Sequence, residues 1–120
     1  MARDRTKLKA FHLAHSLALT VYRVTYTLPP SERDVRSQLR RAAVSVPTNI
    51  AEGCARRGKG DYLRFLDIAL GSASEVDYLI EFCREVGVFD RSSHDVCKNC
   101  SRSVVRSLQR LIEAVDRFEP

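Results

Sequence analysis

The densest group of side chains that could do chemistry is a set of cations around a glycine-rich turn. Arg56, Arg57, Lys59 and Arg64 fall within nine residues, on both sides of the Gly58–Gly60 turn. Guanidinium groups bind phosphate oxygens in bidentate pairs, and a helix that begins after the turn would add free N–H groups. Four cations this close repel one another unless an anion lies nearby. A phosphate site and an ordinary solvated surface therefore both remain open.

Further arginines recur at helical spacing. Arg102, Arg106 and Arg110 fall within about 80° of one another at 100° per residue, and this stripe continues to Arg117 after an interruption at Glu113. Such a stripe is either an ordinary solvated helix face or a surface for a polyanion. Because no aromatic residues are interleaved to stack bases, nucleic-acid contacts would be mainly to backbone phosphates and strongly salt-dependent. A similar ridge upstream contains Arg33, Arg36 and Arg40, with Arg41 on another side.

One constellation has metal-like spacing, His94-x2-Cys97-x2-Cys100. Positions three apart on a helix can share a metal ion, and Cys83 or Cys54 could add a ligand. Structural zinc usually binds Cys-x2-Cys on a tight knuckle, whereas these residues lie in a helical pattern. We therefore expect Cys100 at a core position with Cys97 beside it, and no metal or cofactor.

Enzymatic motifs are missing from the sequence. None of the three histidines lies in a nucleophile, oxyanion or metalloprotease motif, the Gly58–Gly60 turn lacks the spacing of a phosphate-binding loop, and no Glu-x-x-His pair occurs. We predict that the protein is not an enzyme.

Four apolar-faced helices are predicted to position these side chains, at about residues 8–28, 32–57, 61–86 and 93–118. Short connections imply an all-α, antiparallel up-down-up-down four-helix bundle. The predicted helix starts are Ser31, Asp61 and Ser92, and Gly87 is the predicted C-terminal glycine. In the last helix the predicted inward residues are Val96, Cys100, Val104, Leu108, Leu111, Val115 and Phe118.

The second helix contains a proline at position 47. Because the apolar spacing continues in phase across it, we expect one helix kinked at Pro47 rather than two helices. Ser45 and Asn49 could satisfy the carbonyl that Pro47 leaves free, and Glu52 could pair with an arginine of a neighbouring helix. Gly53 weakens the end of this helix.

Length and composition favour one domain over residues 1–120. The formal net charge of +5 and the pI near 9.3 lean toward polyanionic partners. The basic start has no apolar segment after it, no apolar run could span a membrane, and four cysteines need no disulfide, so we expect a cytoplasmic protein.

The charge is unevenly divided along the chain. Residues 1–60 contain 12 basic and 4 acidic side chains, residues 61–95 contain 3 and 8, and residues 96–120 contain 5 and 3. A polyanion-facing surface and self-complementary faces in an oligomer both fit this division.

One segment resembles a known family. The run QLRRAAVSVPTNIAEG at 38–53, then Arg56-Arg57, Phe65-Leu66, the residues 68–72 and Glu75, closely resembles the bacterial four-helix-bundle proteins. These are also called the 23S ribosomal RNA intervening-sequence protein family. The similarity covers about residues 8–90 in detail. Phe11 stands where the family usually has tryptophan, and Cys54-Ala55 where an aromatic residue and a glycine are common.

The resemblance implies a bundle that assembles into a ring, typically a homopentamer, without known enzymatic activity. The family is also similar to the accessory variability determinant of diversity-generating retroelements, which binds a reverse transcriptase and nucleic acid. The leading hypothesis is thus an oligomeric bundle that binds RNA or DNA through its arginines. The alternatives are an adaptor for a retroelement reverse transcriptase and a purely structural or metal-binding bundle.

Overall fold

The four apolar-faced segments form four α-helices in the protein, here described from a computed structural model that covers residues 3–120. They are α1 (Lys9–Thr25), α2 (Arg33–Cys54), α3 (Lys59–Glu85) and α4 (Arg91–Phe118). Short 3-10 turns at Arg5–Lys7 and Pro30–Glu32 precede α1 and α2, and no strand occurs within the described range. The predicted all-α class is confirmed. Met1 and Ala2, which belong to the predicted domain and to the N-terminal segment, lie outside the described residues.

The helices pack in a square. Each of α1 and α3 contacts both α2 and α4, whereas within residues 3–120 the diagonal pairs α1–α3 and α2–α4 do not meet. With short connections this is an antiparallel up-down-up-down bundle, as predicted. It measures 48 × 21 × 19 Å, and a continuous apolar core that includes Leu17, Leu39, Leu66 and Leu108 fills its centre.

The predicted capping residues of three helices are wrong. Ser31 lies in a 3-10 turn and Glu32 caps α2 without a side-chain bond, while Gly58 rather than Asp61 precedes α3. The α4 cap is Asp90, whose carboxylate accepts a hydrogen bond of 2.8 Å from the Ser93 N–H. At the other end of α3 the prediction is confirmed, because Gly87 has φ +84° and the Val88 N–H returns to the Cys83 carbonyl at 2.8 Å.

The core register of α4 differs from the prediction by one position in the first half of the helix, whereas Val104, Leu108 and Val115 are buried as predicted. Cys97 is fully buried and Cys100 only partly, while Val96 and Phe118 are exposed. The buried seam instead passes through Ser101, whose hydroxyl donates to the Asp77 carboxylate at 2.7 Å and therefore needs no water.

Helix α2 runs without a break through Pro47, which agrees with one kinked helix. The sequence predicted that Asn49 would satisfy the carbonyl that Pro47 leaves free, four residues before the proline. The Asn49 amide instead donates to the Ser45 carbonyl at 2.8 Å. Ser45 Oγ also lies 2.9 Å from Ser72 Oγ of α3. Glu52 pairs at 3.4 Å with Arg56 just beyond the same helix, so its predicted partner on a neighbouring helix is wrong.

Gly53 marks the closest approach of α2 and α3. A Cβ atom there would lie 3.0 Å from Phe65 Cβ and 3.1 Å from Tyr62 Cδ1. Gly71 of α3, in contrast, has open space where a Cβ would be. Glycine is thus needed at position 53 for the helix contact, and this contact fixes the corner that carries the turn cations.

Candidate nucleic-acid interface

The cations of the α2–α3 turn are engaged by the fold. Lys59 Nζ donates to the carbonyls of Asp116 at 2.9 Å and Glu119 at 2.8 Å. These carbonyls lie at the C-terminal end of α4, where a helix leaves its last acceptors unsatisfied and attracts cations. Lys59 is therefore bound as a helix cap, and the prediction that it contacts nucleic acid has no support in its geometry.

The two turn arginines with aromatic contacts are also partly engaged. Arg56 and Arg64 lie over the Phe65 ring at 4.8 and 4.6 Å. Each pairs with a nearby carboxylate, Arg56 with Glu52 at 3.4 Å and Arg64 with Asp61 at 3.5 Å. Both side chains remain about half exposed, so these pairs are weak and a phosphate could displace the carboxylates. Arg57 is exposed and has no ion pair among the described residues.

Arg3, which no pattern in the sequence singled out, packs against the same α2–α3 turn. The Arg3 N–H donates to the Cys54 carbonyl at 2.8 Å, and its guanidinium pairs with Glu119 at 2.6 Å and covers the Tyr62 ring at 3.9 Å. Tyr62 is buried, and its burial raises the pKa of its hydroxyl to about 12. The corner is therefore a packed junction of both chain ends with the turn.

Two of the α2 arginines cap the end of α1. Arg36 donates to the Leu28 carbonyl at 3.1 Å. Arg40 donates to Thr25 Oγ1 at 2.9 Å and to the Tyr22 carbonyl at 3.3 Å, with its guanidinium over the Tyr22 ring. Arg40 thus satisfies one carbonyl in the last turn of α1 and Arg36 a carbonyl just beyond that helix, so the two arginines are largely structural. Arg41 is exposed and lines a surface pocket together with Arg40 and Tyr22.

The arginine stripe of α4 is different. Arg102, Arg106 and Arg110 are all exposed, and none forms an ion pair or side-chain hydrogen bond within the part of the chain that the structure describes. Neither α1 nor the stretch 96–112 contains a carboxylate. Three exposed arginines without an ion pair thus share one helix face, and of these Arg102 is near enough to Asp77 of α3 for its charge to help lower the pKa of that carboxyl. Arg117, further along, pairs with Glu113 at 3.3 Å.

The helix α1 adds a fourth cation to this face. Lys9 lines a shallow groove of about 270 Å³ between α1 and α4, together with Leu13, Ser103, Arg106, Ser107 and Arg110. The serine hydroxyls are further donors for phosphate oxygens. We call Lys9, Arg102, Arg106 and Arg110 the basic face. The antiparallel pairing of the start of α1 with the end of α4 could have indicated Lys9 from the sequence.

One cation is buried between α3 and α4. The Lys98 ammonium lies 2.9 Å from Asp77 and 2.8 Å from Glu81, and its side chain is 6% exposed. Burial alone would lower the pKa of Lys98, but the hydrogen bonds and charges of the two carboxylates outweigh it and raise the pKa. Burial would likewise raise the pKa of Asp77, and the bonds from Lys98 and Ser101 hold it below its usual range.

The thiols and His94 do not converge. Burial raises the pKa of the Cys97 thiol to about 12 and that of Cys83 to about 11, while His94 Nδ1 lies 2.9 Å from Asp95. Across residues 3–120, no three His, Cys, Asp or Glu side chains are grouped to hold a metal ion. None of the described helices combines the length and the apolar character needed to cross a membrane.

Comparison with known proteins identifies relatives of this bundle. Residues 6–110 match the family described as 23S rRNA-intervening sequence protein. The chain is also similar to a crystal structure from Bacteroides thetaiotaomicron, a protein of unknown function in the S23 ribosomal protein family. That similarity has a TM-score of 0.80 and 21% identity, and covers 87% of this chain and 95% of the other. It shows that the two share a fold. No curated protein matches the chain.

Proposed function

Because the chain belongs to the 23S rRNA-intervening sequence protein family, we propose that it is a non-enzymatic bundle that binds RNA or DNA through backbone phosphates. The observation that carries the proposal is the basic face. Its three arginines are exposed and form no ion pair among the described residues, while other cations that looked equally available in the sequence are bound to backbone carbonyls.

The chemistry of this face suits phosphate better than bases. Guanidinium groups at i, i+4 and i+8 follow one line along α4, and each can donate two parallel bonds to a phosphate. The groove beside them is shallow and contains no aromatic side chain, so it offers no platform for stacking an unpaired base. Binding is therefore expected to be tolerant of sequence and steeply dependent on salt.

We propose that the functional form is a homo-oligomeric ring, with a pentamer as the expected size. Repetition of a +5 chain around a ring would bring several basic faces to one nucleic acid, and simultaneous contacts would strengthen weak individual ones. The opposite charges of the early helices and α3 support assembly between copies.

The test is direct binding of a labelled single-stranded RNA and of a DNA of the same sequence. Arg106→Gln/Arg110→Gln should weaken binding at least about tenfold at low salt, because one charge-assisted hydrogen bond contributes about 1.5 kcal/mol. The matched control, Arg33→Gln/Arg91→Gln, removes the same charge from exposed sites elsewhere and should change affinity less than about threefold. Equal losses in both variants would contradict a local site, and no binding by the wild type would refute the proposal.

A further inference from the structure

The large apolar side chains on the surface are not scattered. Ten are exposed in the described chain, and eight of them fall into two groups on different sides of the bundle. One group lies along α1 and α2, and the other lies along α3. Two such groups on one small bundle are typical of surfaces that become covered in an assembly. The first group contains Leu19, Tyr22, Tyr26 and Val44, and the second contains Ile68, Tyr78, Phe82 and Val86.

The first group borders a groove between α1 and α2. This groove has a volume of about 760 Å³, and its lining is mainly apolar, with Phe11, Leu19, Tyr22 and Val44 around a floor that includes buried Pro47. It is large enough to receive a row of side chains from another helix. We call it the α1/α2 groove.

The second group is a ridge on the outer side of α3. Ile68, Gly71, Glu75, Tyr78 and Phe82 follow one another at spacings of three and four residues, which places them on one helix face. The rings of Tyr78 and Phe82 lie 6.4 Å apart. We call these five residues the α3 stripe. An exposed helix face with apolar side chains at this spacing can pack into a groove of another molecule.

The two surfaces have opposite charge. Helices α1 and α2 together contain six cationic and two acidic side chains, while α3 contains three cationic and six acidic ones. The charged residues that line the α1/α2 groove are Arg5 and Glu52. Arg40 and Arg41 line a neighbouring pocket that shares Tyr22 and Val44 with the groove, and Glu75 lies within the α3 stripe. Complementary charge favours contact of one surface with the other.

We infer that the α1/α2 groove of one copy receives the α3 stripe of a second copy. The contact is heterologous, because groove against groove would oppose cation to cation and stripe against stripe would oppose acid to acid. Since α1 and α3 are diagonal in the square and do not touch, one chain can use both surfaces at once. Repeated contacts of this kind generate a ring when the rotation from one copy to the next closes.

This inference rests on the proposed assembly and adds the surfaces that make it. It also separates two functions on the molecule. The basic face lies on the α1/α4 side, so assembly through the groove and the stripe leaves Arg106 and Arg110 open to nucleic acid.

Two variants that block one surface each provide the test. Leu19→Glu/Val44→Glu places acids in the groove, and Ile68→Ser/Tyr78→Ser removes the large apolar side chains of the stripe without adding a charge that an acidic groove would attract, all at exposed positions. Light scattering should give the 13.6 kDa monomer for each variant alone. An equimolar mixture should give a heterodimer of twice that mass and nothing larger, because one intact groove meets one intact stripe.

Controls make each outcome decisive. Val96→Glu, at an exposed apolar position outside both surfaces, should keep the wild-type mass, and circular dichroism should show unchanged helix content in all variants. If the wild type is monomeric, the proposed assembly fails together with this interface. If the wild type is oligomeric and either blocked variant keeps its mass, or the mixture forms no heterodimer, the interface is wrong while the assembly stands. RNA binding by the monomeric variants tests the basic face independently.

Discussion

The α2–α3 turn and the basic face contain four cations each, and the fold uses them differently. At the turn, Lys59 is bound to two carbonyls and Arg56 and Arg64 are paired with carboxylates, which leaves Arg57 as the one turn cation without an ion pair among the described residues. On α4, Arg102, Arg106 and Arg110 have no such partner among the described residues. The density of cations along a sequence therefore indicates a binding surface less reliably than the number left uncompensated after folding.

The largest loss of stability is expected at Lys98, which lies outside both regions and is a buried cation bound to two carboxylates. Lys98→Met removes the partner of Asp77 and Glu81 between α3 and α4. Because Asp77 would keep only its bond from Ser101, we expect the free energy of unfolding to fall by about 1–2 kcal/mol at pH 7. Urea denaturation measures it. An unchanged midpoint would show that this buried pair contributes nothing to stability.

The same pair predicts a pH dependence. The pKa of Asp77 is lower in the folded than in the unfolded chain, so its contribution is present above the unfolded value of about 4 and is lost as pH falls through the folded value. Wild-type stability should therefore decline below about pH 4, and the decline should be smaller in Lys98→Met. A larger decline in the variant would contradict this assignment.

A smaller effect is expected at the turn. Lys59→Met removes the cap on the last carbonyls of α4 and should lower the free energy of unfolding by about 0.5–1 kcal/mol. It should leave RNA affinity within about twofold of the wild type, because the ammonium is already bound to the protein. Thermal unfolding and RNA titration together check this. A loss of RNA affinity without a loss of stability would show that Lys59 contacts the RNA.

The helices could be predicted because apolar residues repeat at helical spacing along most of the chain, and Pro47 does not interrupt the phase. The register of the first half of α4 could not, because its buried seam passes through Ser101. The hydroxyl of this buried serine is satisfied by the Lys98 carbonyl at 3.1 Å and by the Asp77 carboxylate, which lies 24 residues away, and hydropathy reports neither bond. Hydropathy alone therefore selected Cys100 instead of Cys97.

The candidate site could be predicted in part. The outward position of Arg102, Arg106 and Arg110 follows from helical periodicity, and the structure agrees. The structural roles of Lys59 and Arg36 depend on carbonyls that packing brings close, such as that of Asp116, 57 residues away. No local pattern contains this information, because a free helix carbonyl is present at the end of every helix.

The most direct test of the account is the salt dependence of RNA binding. Affinity for a single strand decreases with salt, so a plot of log affinity against log salt concentration has a negative slope. The magnitude of this slope decreases by about 0.7 for each phosphate that the protein no longer neutralises. Arg106→Gln/Arg110→Gln should thus reduce the slope by about 1.4, and Lys59→Met should leave it unchanged. A reduced slope in Lys59→Met with an unchanged slope in the α4 variant would contradict the account and place the phosphate contacts at the turn.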